Sequence, residues 1–201
     1  MRAFLGVVPE GEARDFLRNS VRILREEIGL EGVRWVREEN WHMTLHFFAE
    51  LPEQVLRDFC EEIGNKLRFW KAFRIVIERP AFFPSEKRPR LIASVSKRDE
   101  RLIALVEQIH EVIKKFGLPP ADKLFCGHIT LGRLRENFKF RASEKLLRLS
   151  SKCHNKEVEI CLMPVTEIFL FASKILSSGP VYSILDSFRL QGSKSKIIIE
   201  G

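Results

Sequence analysis

The chain alternates between the two hydrophobic periods that separate strand from helix. Ala3 to Val8 is a continuous apolar run closed by Pro9, which predicts a buried strand. From Glu10 to Ile28 the apolar residues Phe16, Leu17, Val21, Leu24 and Ile28 recur at helical spacing and meet Gly29, where a helix would stop. Val33 to Arg37 gives a weaker strand signal, with Val33 and Trp35 set against Arg34 and Val36, and Glu38-Glu39-Asn40 reads as a turn. A second helix is expected from Pro52, at the first helical position, along the stripe Val55, Leu56, Phe59, Ile63 and Leu67 to about Arg68. Phe73, Ile75 and Ile77 alternate with Arg74, Val76 and Glu78 in a strand ended by Pro80.

A loop rich in Pro and basic residues (Pro84, Lys87, Arg88, Pro89, Arg90) leads into the strand Leu91 to Val95. Asp99 is placed to cap the clearest helix of the chain, whose stripe runs from Leu102 to Phe116 before Gly117. Beyond Pro119-Pro120 the pattern predicts a strand through Leu131, a short helix around Ser143 to Leu149, and a polar loop from Ser150 to Lys156. Strands follow at Val158 to Met163, Ile168 to Ala172 and, after a Gly179-Pro180 turn, Tyr182 to Leu190. The ten residues from Gly192 read equally as an edge strand or a tail. No low-complexity linker divides the chain, and the order strand, helix, strand recurs between Leu91 and Leu134, so a single unit of two similar lobes over residues 1–201 is expected.

One phrase marks both lobes. His42-Met43-Thr44-Leu45 returns as His128-Ile129-Thr130-Leu131 in a chain with five histidines and three threonines. On a strand, side chains alternate faces. His42, Thr44 and His46 therefore share one face, with Trp41, Met43, Leu45 and Phe47 on the other. In the second copy His128 and Thr130 are presented, and Phe125, Gly127, Ile129 and Leu131 anchor.

Composition narrows the chemistry. At 201 residues, with 45% hydrophobic and 30% charged residues, the chain is an ordinary globular protein and not a disordered or fibrous one. Lys and Arg exceed Asp and Glu by 34 − 27 = 7, and a pI near 9.4 favours anionic partners such as nucleic acid or nucleotides. The four cysteines have neither C-x-x-C nor finger spacing, which points to reduced thiols. The N-terminal apolar run is too short for a signal peptide or a membrane span, and no later stretch approaches a span, so a cytoplasmic protein without a membrane partner is expected.

Two lobes facing each other would place an imidazole on either side of a bound group, with two hydroxyls at its middle. That suits in-line displacement at phosphorus: one histidine takes a proton from the attacking oxygen and the other gives one to the leaving oxygen, each worth roughly 10² to 10⁴ in rate. Thr44 and Thr130 would hydrogen-bond the non-bridging oxygens, and an arginine would offset their charge. The scheme needs no metal or other cofactor. The rival reading takes His42 and His46 as H-x-x-x-H, the spacing of two metal ligands on a helix. On a strand that spacing puts them roughly 13 Å apart, too far for one ion, and the expectation is no metal.

At these residues the chain resembles the two-histidine (2H) phosphoesterase superfamily, and within it the RNA 2′,3′-cyclic phosphodiesterases, also called 2′-5′ RNA ligases. The likeness runs through Met1 to Val7, Val33 to Val36, Glu39 to Phe48, Phe83-Pro84, Pro89 to Ile92, the second motif to Arg133, and Ser177 to Tyr182. It implies a bilobal α+β fold in which two antiparallel sheets form a central cleft with helices outside. It also implies hydrolysis of RNA 2′,3′-cyclic phosphate ends, or nucleoside 2′,3′-cyclic phosphates, to 2′-phosphates, with 2′-5′ joining of RNA ends as the reverse-type reaction; a monomer is expected. By the same likeness His42 is the general acid for the leaving 3′ oxygen and His128 the base acting on water; the residues themselves leave the two roles interchangeable. Arg133 matches an arginine near the phosphate.

The chain departs from that pattern at Gly127, where the family commonly has Pro, and at His46, where it has Lys or Arg. His46 and Phe48 are candidate RNA contacts, the first by its face and the second by base stacking. Strict alternation puts Arg133 on the anchoring face with Ile129 and Leu131; it joins the site only if the strand ends or bulges at Gly132. A non-catalytic nucleotide- or RNA-binding module on the same fold is the alternative reading.

Overall fold

A computed structural model describes residues 1–28, 32–85, 88–120, 124–136, 138, 160–176 and 179–192. The expected short helix at Ser143 to Leu149, the loop at Ser150 to Lys156 and nearly all of the segment from Gly192 lie outside the described residues.

The chain order is β1 (Ala3–Val7), α1 (Gly11–Ile28), β2 (Val33–Trp35), a 3₁₀ turn (Glu38–Asn40), β3 (Met43–Phe48), α2 (Glu53–Leu67), β4 (Phe73–Glu78), β5 (Ala81–Phe83), β6 (Leu91–Val95), α3 (Glu100–Lys115), β7 (His128–Leu134), β8 (Ile160–Val165), β9 (Glu167–Leu176) and β10 (Gly179–Arg189). The fold is α+β, with two antiparallel sheets. One holds eight strands in the order β10-β9-β1-β3-β7-β6-β5, with β2 also paired to β7; the other is the pair β4-β8.

Both motif strands are central neighbours in the larger sheet, joined at a single register pair, Met43 opposite Ile129. The half-sheet β10-β9-β1-β3 lies on one side of that seam and β7-β6-β5 with β2 on the other. The recurrence of strand, helix and motif strand has a structural counterpart: β1-α1-β3 and β6-α3-β7 each set a motif strand directly beside the strand that opens the unit.

Local chemistry explains the elements. Asp99 caps α3, its carboxylate accepting from the backbone N–H groups of Arg101 and Leu102. Pro52 is the residue before α2, one place earlier than expected. The apolar stripes of all three helices (Leu17 and Val21; Phe59 and Ile63; Leu105 and Ile109) share one core with Leu5, Leu45, Ile129, Leu131 and Leu170 from one face of the large sheet and with Ile75 and Met163 of the small one. Each such side chain, buried, contributes about 1.5–3 kcal/mol. The opposite face of the large sheet carries the motif histidines.

Candidate active site

The decisive local feature is a pair of matched bulges. Along β3, Gly6 of β1 stands opposite Thr44 and Leu5 opposite His46, so Leu45 is the extra residue. Along β7, Ala93 of β6 stands opposite Thr130 and Ile92 opposite Gly132, so Leu131 is the extra residue. Each bulge falls on the leucine of H-x-T-L, and each leucine is buried in the core, which pins the irregularity in place. A bulge resets alternation. Before it, His42, Thr44, His128 and Thr130 face the open side of the sheet; after it, the residue five places beyond each histidine does so, Phe47 in one strand and Arg133 in the other.

This overturns two sequence expectations and resolves a third. His46, opposite Leu5, turns into the core with 3% exposure, and Phe48, opposite Ala3, follows it with 2%. Neither is available to RNA in this structure. His46 instead packs on the rings of Phe48 and His110. Because His42 and His46 leave the strand on opposite faces, they do not share a metal ion. Arg133 lies on the histidine face, and the bulge that puts it there is at Leu131, one residue before the expected Gly132. Among the described residues no group of three or more His, Cys, Asp or Glu side chains is placed to hold a metal.

The two histidines are oriented by the same device. Nδ1 of His42 lies 2.7 Å from the carbonyl oxygen of Asn40, and Nδ1 of His128 lies 2.9 Å from that of Cys126, in both cases two residues back. A carbonyl only accepts, so each Nδ1 carries a proton and donates it, which leaves Nε2 as the ring nitrogen able to exchange a proton. Aromatic rings fix the planes. Phe4 stacks on His42 at 4.4 Å between centroids and Tyr182 meets it edge-on at 5.2 Å; Phe83 stacks on His128 at 4.5 Å. The Asn40 amide also donates to the Pro180 carbonyl, tying the turn behind His42 to the β10 strand that carries Tyr182.

Burial pushes His42 below the ordinary histidine value. Its bond to the Asn40 carbonyl partly offsets this, and the positive charges of Arg133 and His128 add to the lowering. Arg133 likewise lowers the Tyr182 hydroxyl against the upward push of burial. Arg133 thus acts electrically on the His42 side of the seam although it sits on β7. Thr44 and Thr130 stand opposite Gly6 and Ala93, cross-strand partners too small to cover a hydroxyl. A groove of about 610 Å³ between α1 and residues 36–41, lined by Arg18, Arg22 and Trp41 among others, contains neither motif histidine, and its Arg18 and Arg22 are ion-paired to Asp15, Glu26 and Glu38.

Sequence reasoning missed Phe4, Phe83 and Tyr182. Phe4 lies in a run that is apolar on both faces, where period-two logic distinguishes nothing; Phe83 is hidden by the prolines around it. Tyr182 has two usable signals, as the chain's single tyrosine and as the end of the Ser177 to Tyr182 stretch that carries the family likeness.

Two histidines held by backbone carbonyls on one open sheet face, with a threonine on the same face in each strand and Arg133 beside them, form the arrangement to which the family comparison can be applied. The sequence profile of the LigT like Phosphoesterase family matches the chain twice, over residues 7–93 and 94–182. The chain belongs to this family. It is 29% identical over 190 residues to the RNA 2′,3′-cyclic phosphodiesterase of Methanothermobacter thermautotrophicus and 30% identical over 189 residues to that of Archaeoglobus fulgidus, in each case covering 94% of this chain and 99% of the relative. Among solved structures, a Thermus thermophilus protein matches with a TM-score of 0.73 at 25% identity, covering 96% of this chain and 100% of that one. Escherichia coli LigT, solved with 3′-AMP, shares the fold with a TM-score of 0.68 at 17% identity, over 94% of this chain and 98% of its own.

Proposed function

We propose that the chain hydrolyses RNA 2′,3′-cyclic phosphate ends to 2′-phosphates by metal-independent two-histidine catalysis. The observation that carries this is the shared Nδ1-to-carbonyl lock, which leaves two Nε2 atoms available on one face beside two threonine hydroxyls and Arg133. The curated relatives named RNA 2′,3′-cyclic phosphodiesterase, and the nucleotide bound to Escherichia coli LigT, support the substrate class.

In the proposed reaction His128 Nε2 takes a proton from the attacking water as the new P–O bond forms. The P–O3′ bond breaks, and His42 Nε2 protonates the departing 3′ oxygen, giving a 3′-hydroxyl and a 2′-phosphate. Thr44, Thr130 and Arg133 bind the non-bridging oxygens as charge builds there. The depressed proton affinity of His42 in the unliganded protein is countered once the phosphodiester brings a negative charge beside it and offsets that of Arg133. A 5′-hydroxyl in place of water gives a 2′-5′ bond through the same proton movements. The enzyme acts as a monomer in the cytoplasm, as one bilobal domain over residues 1–201. No helix among the described residues is long and apolar enough to cross a membrane.

The test is hydrolysis of a nucleoside 2′,3′-cyclic phosphate in EDTA by wild type, His42→Ala and His128→Ala. Turnover in the wild type and a loss of at least roughly a hundredfold in each variant is expected. Full activity in either variant, or none in the wild type, sinks the mechanism; tight nucleotide binding without turnover would favour a non-catalytic binding module.

A further inference from the structure

The open face of the large sheet is chemically unequal on the two sides of the seam. In the first half, Phe47 of β3, Phe4 of β1, Phe171 of β9 and Ile184 of β10 are directly opposed residues and form one row across four strands. In the second half the corresponding row is Arg34 of β2, Arg133 of β7, Leu91 of β6 and Phe83 of β5. The residue five places past the motif histidine is therefore a phenylalanine in one strand and an arginine in the other. Directly opposed residues point to the same side of a sheet, so each row shares the face of its histidine.

The middle of the first row is already used, since Phe4 lies under His42 and stacks on Phe171. Its ends are not. Phe47 is 46% exposed and Ile184 60% exposed, and the guanidinium of Arg2 sits 5.2 Å over the Phe47 ring. The row spans three inter-strand spacings, about 14 Å. An exposed ring with a cation against it, continuous with the reaction site, fits a ligand that has both an aromatic face and a negative charge. Isolated apolar residues on a surface need no explanation, but an aromatic and an aliphatic end on the row that floors the catalytic imidazole make a track.

We propose that this row is a docking track for single-stranded RNA, taking the base of the nucleotide on the 5′ side of the cyclic end onto Phe47, with Arg2 meeting that nucleotide's phosphate. The inference rests on the proposed cyclic phosphodiesterase reading and extends it: the substrate is a single-stranded 3′ end of at least two nucleotides, read by stacking and so tolerant of sequence. The second half-sheet, with Arg34 beside Arg133, handles the charged backbone at the reacting phosphate.

The experiment compares kcat/KM for a mononucleoside 2′,3′-cyclic phosphate with that for an unstructured hexaribonucleotide ending in the same group, in wild type, Phe47→Ser and Phe47→Tyr. Binding of the hexamer carrying a 3′-phosphate is followed separately by fluorescence anisotropy. In wild type the hexamer should be preferred by about tenfold or more. Phe47→Ser should remove about tenfold of that preference, chiefly through KM, the size of one base–aromatic stack, and Phe47→Tyr should retain it. Equal kcat/KM for the two substrates in wild type, or a parallel loss on both in Phe47→Ser, would overturn the track. If the wild type hydrolyses neither substrate, the phosphodiesterase reading fails by itself; anisotropy then supports the track if Phe47→Ser weakens hexamer binding about tenfold and rejects it if binding is unchanged.

Discussion

The imidazoles of His46 and His110 meet edge to face at 5.2 Å in the core between β3 and α3. Among the described residues neither nitrogen of His46 has a partner with hydrogen-bond geometry, nor does Nε2 of His110. Burial lowers both rings; for His46 the charge of His110 adds to it and the nearby Pro119 carbonyl only partly opposes it, leaving the value at about 4, while for His110 the charge of Glu107 opposes the fall. Between about pH 6.5 and pH 4 the unfolded chain takes up a proton at position 46 that the folded chain refuses, so stability falls as pH falls through that window, and this proton-linked loss vanishes above it. The loss should approach about 3 kcal/mol by pH 4. Urea unfolding of wild type and His46→Phe at about pH 7.5 and about pH 4.5 checks this: the gap between the two pH values should shrink in the variant, and an unchanged gap would reject the account.

Arg133 should matter in two measurable ways. Arg133→Gln should lower kcat/KM on a cyclic phosphate by about 100-fold, the scale of one lost group at a developing charge. Removing the cation should also raise the His42 midpoint in the unliganded protein, since Arg133 is one of the groups that lower it. An NMR titration of the His42 ring gives the sign directly; a midpoint that stays or drops would remove Arg133 from the site.

Thr44 and Thr130 can be replaced by valine with almost no change in volume. Each substitution should reduce kcat/KM by about 10- to 100-fold by removing one hydrogen bond to the phosphate oxygens, with thermal unfolding shifted little. A loss of activity that follows the loss of stability would make the threonines strand formers and nothing more.

Gly6 stands opposite Thr44, and a Cβ there would lie 2.9 Å from the Met43 carbonyl oxygen. Backbone, not a flexible side chain, must give way, so Gly6→Ala should cost about 1–3 kcal/mol and disturb the bulge that sets the motif's facing. Thermal unfolding together with mononucleotide turnover tests this; a variant with wild-type stability and rate would show that the two strands separate freely.

The site was legible in the sequence as far as strict alternation holds. His42, Thr44, His128 and Thr130 precede the bulges, and the face assigned to them from period two is the face they occupy. Arg133, His46 and Phe48 follow the bulges, and a bulge centred on a buried leucine leaves no mark in a hydrophobic pattern; Gly132 was a neighbour of the signal but not its position. The three described helices are legible because their apolar stripes are long. The strand Ala81–Phe83 has no sequence signal, since three residues between Pro80 and Pro84 are too few to show a period, and the hairpin strand continues to Leu176, past the expected end at Ala172, because Ser173 and Lys174 interrupt its apolar run but not its pairing. Strand order, which makes the motif strands neighbours within one sheet, depends on pairings between distant segments that no local pattern encodes.

The seam between the half-sheets holds a further consequence. Met43 and Ile129 are its single register pair, both are fully buried, and the Met43 sulfur lies 3.0 Å from where a side chain at Gly127 would begin. Each of these residues adjoins a motif histidine. The separation of the two motif histidines is therefore set by how a thioether fits against a bare backbone, more than by a ladder of hydrogen bonds, so the spacing of the candidate site is adjustable from the hydrophobic interior, by residues on the far side of the sheet from both imidazoles.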